Sequence, residues 1–164
     1  MPLVPSPDPI PARPAWLTSS APAPSGRVDR ARVLCVVDRE EVARAYEAVL
    51  RRARDLACAG TVSDLGELAG AVERFAPAVL LVDLVRPDAT DFGRIAELRA
   101  RRPEVAVVVV QDGDDAALLR SARASGARGY VLGCLGAEAA LASVRAVLEE
   151  DGSPGAWARP TGAC

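Results

Sequence analysis

The sequence predicts an α/β protein: a doubly wound, five-stranded parallel sheet covered by five helices. Three observations carry that expectation. Short runs of Val and Leu, such as AVLLVD at 78–83 and VAVVVV at 105–110, read as strands buried on both faces. Segments with helical apolar spacing separate those runs. The connections are short, which suits strand–helix–strand crossovers in one sheet.

Each element has its own signal. RVLCVV at 32–37 is the first strand. Val42, Tyr46, Val49 and Ala53 recur at helical spacing and predict a helix over 40–53. LACAGTV at 56–62 is a second, weaker strand. Ser63 or Asp64 is placed to cap the next helix, with Glu67 where a capping box needs its acid, and that helix runs to 75. AVLLVD is the central strand. Thr90 or Asp91 opens a helix through 101 whose apolar face carries Ile95 and Leu98. VAVVVV is the fourth strand, and the helix after it, over 114–125, stops at Gly126. GYVL at 129–132 is the short fifth strand. Ala137, Leu141, Val144 and Leu148 form one face of the last helix.

Composition divides the chain. Residues 1–30 are rich in Pro and Ala, which favours a solvated, disordered extension. Residues 31–150 are expected to form the folded domain and 151–164 a flexible tail too short for a second one. Half of the 164 residues are hydrophobic, enough for one full core.

Several classes of chemistry are excluded. All 20 cationic side chains are arginine, and His and Lys are absent, so no imidazole or lysine amine serves as base, nucleophile or ligand. The four cysteines (Cys35, Cys58, Cys134, Cys164) form no C-x-x-C pair, which argues against zinc and for reduced, buried thiols. No apolar run approaches the ~20 residues of a membrane helix and no signal peptide is visible, so a cytoplasmic location without membrane contact is expected. Net charge is −2 and the arginine clusters at 51–54 and 99–102 fall at helix C-termini, where they offset the dipole. Direct nucleic-acid binding is not expected.

In an open parallel sheet, ligands bind beyond the carboxyl ends of the strands where strand order reverses. The first strand delivers Asp38 to that edge and the third delivers Asp83. Two facing carboxylates need a cation between them, and their oxygens suit Mg²⁺. The alternative is that each carboxylate binds backbone N–H groups of the following loops.

At these residues the sequence resembles the receiver domain of bacterial two-component response regulators. The resemblance covers 32–148 and is strongest at PAVLLVDLVRP (77–87) and at SGARGYVL (125–132). The second segment is similar to receivers whose output is a LuxR-type helix-turn-helix. The implied fold is the flavodoxin-like receiver fold. The resemblance puts Asp83 at the phosphoacceptor position and makes Asp38, Asp83 and the backbone carbonyl of Val85 the Mg²⁺ ligands. It makes Gln111 and Tyr130 the switch positions. Three departures accompany it. Val37 replaces an acid, Gln111 a serine or threonine, and Gly133 the lysine that bridges to the phosphoryl group.

The expected function is therefore an atypical, stand-alone receiver, not an enzyme. It acts by protein–protein interaction, with phosphorylation at Asp83 and Mg²⁺ binding weak or absent. The expected partner is a protein, either a histidine kinase or a regulator. Ala139, Ala142 and Ala146 on the last helix suggest a weak homodimer. The alternatives are a phosphorylatable phosphorelay receiver and the receiver remnant of a LuxR-type regulator. Glycine-rich nucleotide loops are absent. A haloacid-dehalogenase phosphatase would need an aspartate where Val85 stands.

Overall fold

Val and Leu dominate the strand segments because their branched side chains fill a pleated surface well. The computed structural model describes residues 29–113 and 115–149. The expected extension, apart from Asp29 and Arg30, and the expected tail lie outside the described residues. The strands are β1 (Ala31–Val37), β2 (Leu56–Val62), β3 (Val79–Asp83), β4 (Ala106–Gln111) and β5 (Gly129–Leu132). The helices are α1 (Glu40–Arg52), α2 (Leu68–Phe75), α3 (Ala89–Arg101), α4 (Ala116–Ala124) and α5 (Gly136–Glu149). All five strands are parallel in the order β2-β1-β3-β4-β5. Order reverses between β1 and β3, which puts the ends of these two strands at the crevice.

The period of two along each strand sorts the core into two layers. Leu34, Val36, Leu80, Val82, Val107 and Val109 face α2, α3 and α4, where they meet Leu68, Val72, Phe92, Ile95 and Ala122. Val33, Cys35, Leu81, Val108 and Val110 face α1 and α5, where they meet Tyr46, Leu50, Leu141 and Val144. Burying a side chain of this size stabilises by about 1.5–3 kcal/mol. The two layers together hold the strand ends in fixed register.

Local chemistry departs from expectation in a few places. Asp88, not Thr90 or Asp91, caps α3; it accepts from the Thr90 and Asp91 N–H groups while Asp91 returns a bond to its own. Asp64 caps a single tight turn over Leu65–Glu67, and Glu67 then precedes α2 without a side-chain cap bond. The buried face of α5 is Ala140, Leu141, Val144 and Val147, so Leu148 is left exposed. Ala139 packs against this core too, and of the small-residue surface only Ala142 is well exposed. Cys35 and Cys58 are free thiols, but β2 is an edge strand and Cys58 is exposed. Cys134 is disulfide-bonded, which corrects the expectation of reduced thiols throughout. Among the described residues, no helix is long and apolar enough to cross a membrane.

Candidate functional site

Parallel register brings the expected residues to one edge. Val37 pairs with Asp83, Asp83 pairs with Val110, and Gln111 pairs with Leu132. Asp38 thus lies one residue past the end of β1, beside the end of β3. Asp83 is 4% exposed, a depth at which an ionised carboxylate needs partners for both oxygens.

Those partners come from the chain itself. Arg39 Nη2 donates to Asp83 Oδ1 at 2.9 Å, and the hydroxyl of Tyr46 donates to Asp83 Oδ2 at 2.6 Å. Arg39 stands at the start of α1 in an extended conformation and makes no cap bond with its side chain. Its guanidinium turns instead over the strand ends, with Nη1 3.3 Å from Asp112 Oδ2 and Nε 4.0 Å from Asp38 Oδ1. Burial works against the charge on Arg39. The hydrogen bond to Asp83 and the charges of Asp83, Asp112 and Asp38 outweigh it, so its pKa is raised and it stays cationic. Burial, then the bond to Asp83, also hold the Tyr46 hydroxyl far above its ordinary range, which keeps it a donor.

The other positions resolve as follows. Asp38 is exposed and accepts the Val85 N–H at 3.0 Å, the loop-binding alternative for this residue. Val37 is buried in the α1–α5 layer. Gln111 is buried, and its Oε1 lacks a hydrogen-bond partner. Tyr130 is buried in the opposite layer, its hydroxyl 3.5 Å from the Gly113 carbonyl oxygen. Gly133 opens a single tight turn after β5. A β-carbon there would stand 2.3 Å from Asp112 Oδ1.

Sequence reasoning missed Arg39, Tyr46 and Asp112. The signals were faint but present. Arg39 and Asp112 are the immediate neighbours of two strand-end candidates, Asp38 and Gln111. A buried tyrosine needs an acceptor for its hydroxyl, and Tyr46 falls at a core-facing position of the helical pattern. The expected pair of carboxylates becomes three carboxylates around one guanidinium, with the same net charge. As arranged, these residues do not fit a resident Mg²⁺. Both oxygens of Asp83 accept hydrogen bonds, and the guanidinium already bridges the carboxylates.

No family model and no curated protein matches the chain. Solved structures do. The isolated receiver domain of RcsB from Salmonella enterica serovar Typhimurium superposes with a TM-score of 0.64 at 17% identity, over 74% of this chain and 90% of that one. A LuxR-family two-component response regulator from Aurantimonas sp. SI85-9A1 gives 0.65 at 21%, over 73% and 85%. The receiver domain of NarL from Mycobacterium tuberculosis gives 0.62 at 21%, over 73% and 94%. The chain therefore has the response-regulator receiver fold and is similar to receivers of the LuxR type.

Proposed function

We propose that this chain is an atypical receiver of two-component signalling that works by binding a protein, with phosphoryl transfer to Asp83 weak or absent. The observation that supports this most is the double engagement of Asp83 by Arg39 and Tyr46. A carboxylate attacks phosphorus through an oxygen lone pair, and the growing charge on the transferring group needs cations aimed at it. Here one oxygen is tied to a guanidinium and the other to a buried hydroxyl. The position just after β5 that carries lysine in the receivers this sequence resembles is Gly133, so no ammonium is aimed from that side. Losing one charge-assisted hydrogen bond, worth about 1.5–3 kcal/mol, slows transfer by roughly 10–100-fold. On this reading Mg²⁺ binding is weak or absent as well.

The role left to the domain is recognition rather than catalysis. A histidine kinase or another regulator is the partner the fold suggests, and weak self-association through the α5 surface around Ala142 is compatible with it. The test is intact mass after incubation with Mg²⁺ and acetyl phosphate. We expect no phosphoryl adduct on the wild-type chain. An adduct that forms fully and disappears in Asp83→Ala would overturn the reading in favour of a working phosphorelay receiver.

A further inference from the structure

We propose that Arg39 is the resident cation of this site, held in the place of a divalent metal, and that the missing side chain at Gly133 makes room for the clamp that holds it. This deepens the functional reading of the same site and rests on the contacts of Arg39, whatever the phosphorylation of Asp83.

The clamp has three arms. Arg39 reaches Asp83 at 2.9 Å and Asp112 at 3.3 Å, and its Nε is 4.0 Å from Asp38. Nε is buried although the side chain as a whole is 30% exposed, so the inner edge of the guanidinium reaches into the crevice. Mg²⁺ binds carboxylate oxygens at about 2.0–2.1 Å and demands near-octahedral geometry. An ion that close to Asp83 Oδ1 would meet a guanidinium nitrogen already bonded to the same oxygen. Like charges at that separation repel, so one cation must leave. Arg39 is covalently attached, hydrogen-bonded to Asp83 and Asp112 and within ion-pair distance of Asp38, so the metal is the one excluded.

Gly133 ties this arrangement to the end of β5. Its hypothetical β-carbon would lie 2.3 Å from Asp112 Oδ1, so the Asp112 carboxylate occupies space a side chain would otherwise need. Asp112 is 55% exposed and free to swing away, but then its contact with Arg39 is lost. Where the receivers this sequence resembles carry a lysine just after β5, this chain carries its cation at the start of α1. The two changes depend on each other sterically.

The test uses Mn²⁺ as the probe on the full chain, by calorimetric titration and by thermal unfolding with and without the ion. Wild type should show no saturable binding at millimolar Mn²⁺. Arg39→Ala should bind at least tenfold more tightly and gain several degrees in Tm with Mn²⁺. Asp83→Asn in the Arg39→Ala background should abolish that gain, locating the ion. Should Arg39→Ala fail to fold, Arg39→Gln removes the charge at similar length and must show the same gain. Wild type binding Mn²⁺ as tightly as either variant, or no gain in a folded variant, overturns the proposal. Acetyl phosphate labelling is read separately. A wild type that excludes Mn²⁺ yet is phosphorylated contradicts the functional reading and leaves Arg39 as the cation.

Discussion

Tyr46, on the buried face of α1, donates its hydroxyl to Oδ2 of Asp83 at 2.6 Å, so a core residue also closes the polar crevice. One side chain therefore links packing to the site. Tyr46→Phe keeps the ring and removes the donor. The buried Asp83 oxygen is then unsatisfied, at a cost of about 1–3 kcal/mol. Urea unfolding should show a lower midpoint with an unchanged slope. A neutral result would mean that the bond contributes nothing to stability.

Gly133→Lys places a β-carbon against Asp112 Oδ1, so Asp112 must swing out and release Arg39. A lysine there also faces the guanidinium that Asp83 still holds. Adding Val37→Asp and Gln111→Thr to Gly133→Lys should therefore give little phosphorylation by acetyl phosphate. Including Arg39→Ala as well should raise the rate by at least tenfold, about 1.4 kcal/mol of transition-state stabilisation. Equal rates with and without Arg39 would contradict the antagonism.

Cys58 should be the reactive thiol of the folded chain. Its hydrogen bond with Cys35 is the largest influence and draws its pKa down to about 6 against the opposing effect of burial. The same bond, then burial, pushes Cys35 upward. Alkylation by iodoacetamide should therefore rise through a midpoint near pH 6 at Cys58 and spare Cys35 in the native state. Cys35→Ala should move that midpoint back toward about 8.5, the ordinary thiol value. Peptide mapping of the alkylated sites checks both.

Ala76 ends α2 with φ 41° and ψ 59°, a left-handed conformation that costs a residue bearing a β-carbon about 1–2 kcal/mol. Ala76→Gly relieves this, less the extra entropy glycine loses on folding. A gain of about 0.5–1 kcal/mol in thermal or urea unfolding is expected.

The sheet was legible because a strand buried on both faces leaves a continuous apolar run, and five such runs separated by helical spacing admit few arrangements. Asp38 and Asp83 were legible for the same reason, since register fixes where a strand ends. Arg39, Asp112 and Tyr46 were not. Which way an exposed-looking arginine turns depends on carboxylates delivered by β3 and β4, far along the chain, and no periodicity encodes that. The cap of α3 slipped from Thr90 or Asp91 to Asp88 because Asp, Thr and Asp in close succession all suit an N-cap, and only the backbone decides among them. The face of α5 differs from its apolar pattern by one position at its end: Val147 turns inward and Leu148 outward, where the helix packs against β4 and β5.

The proposed role of Arg39 is to hold the three carboxylates of this crevice together in place of a metal ion. Its most direct test is a crystal of the wild-type chain grown or soaked in Mn²⁺, with data collected for the anomalous signal of the metal. No anomalous peak is expected within coordination distance of Asp83, and Arg39 density should reach Asp83 and Asp112. A Mn²⁺ peak between Asp38 and Asp83, with Arg39 turned out to solvent, would contradict it.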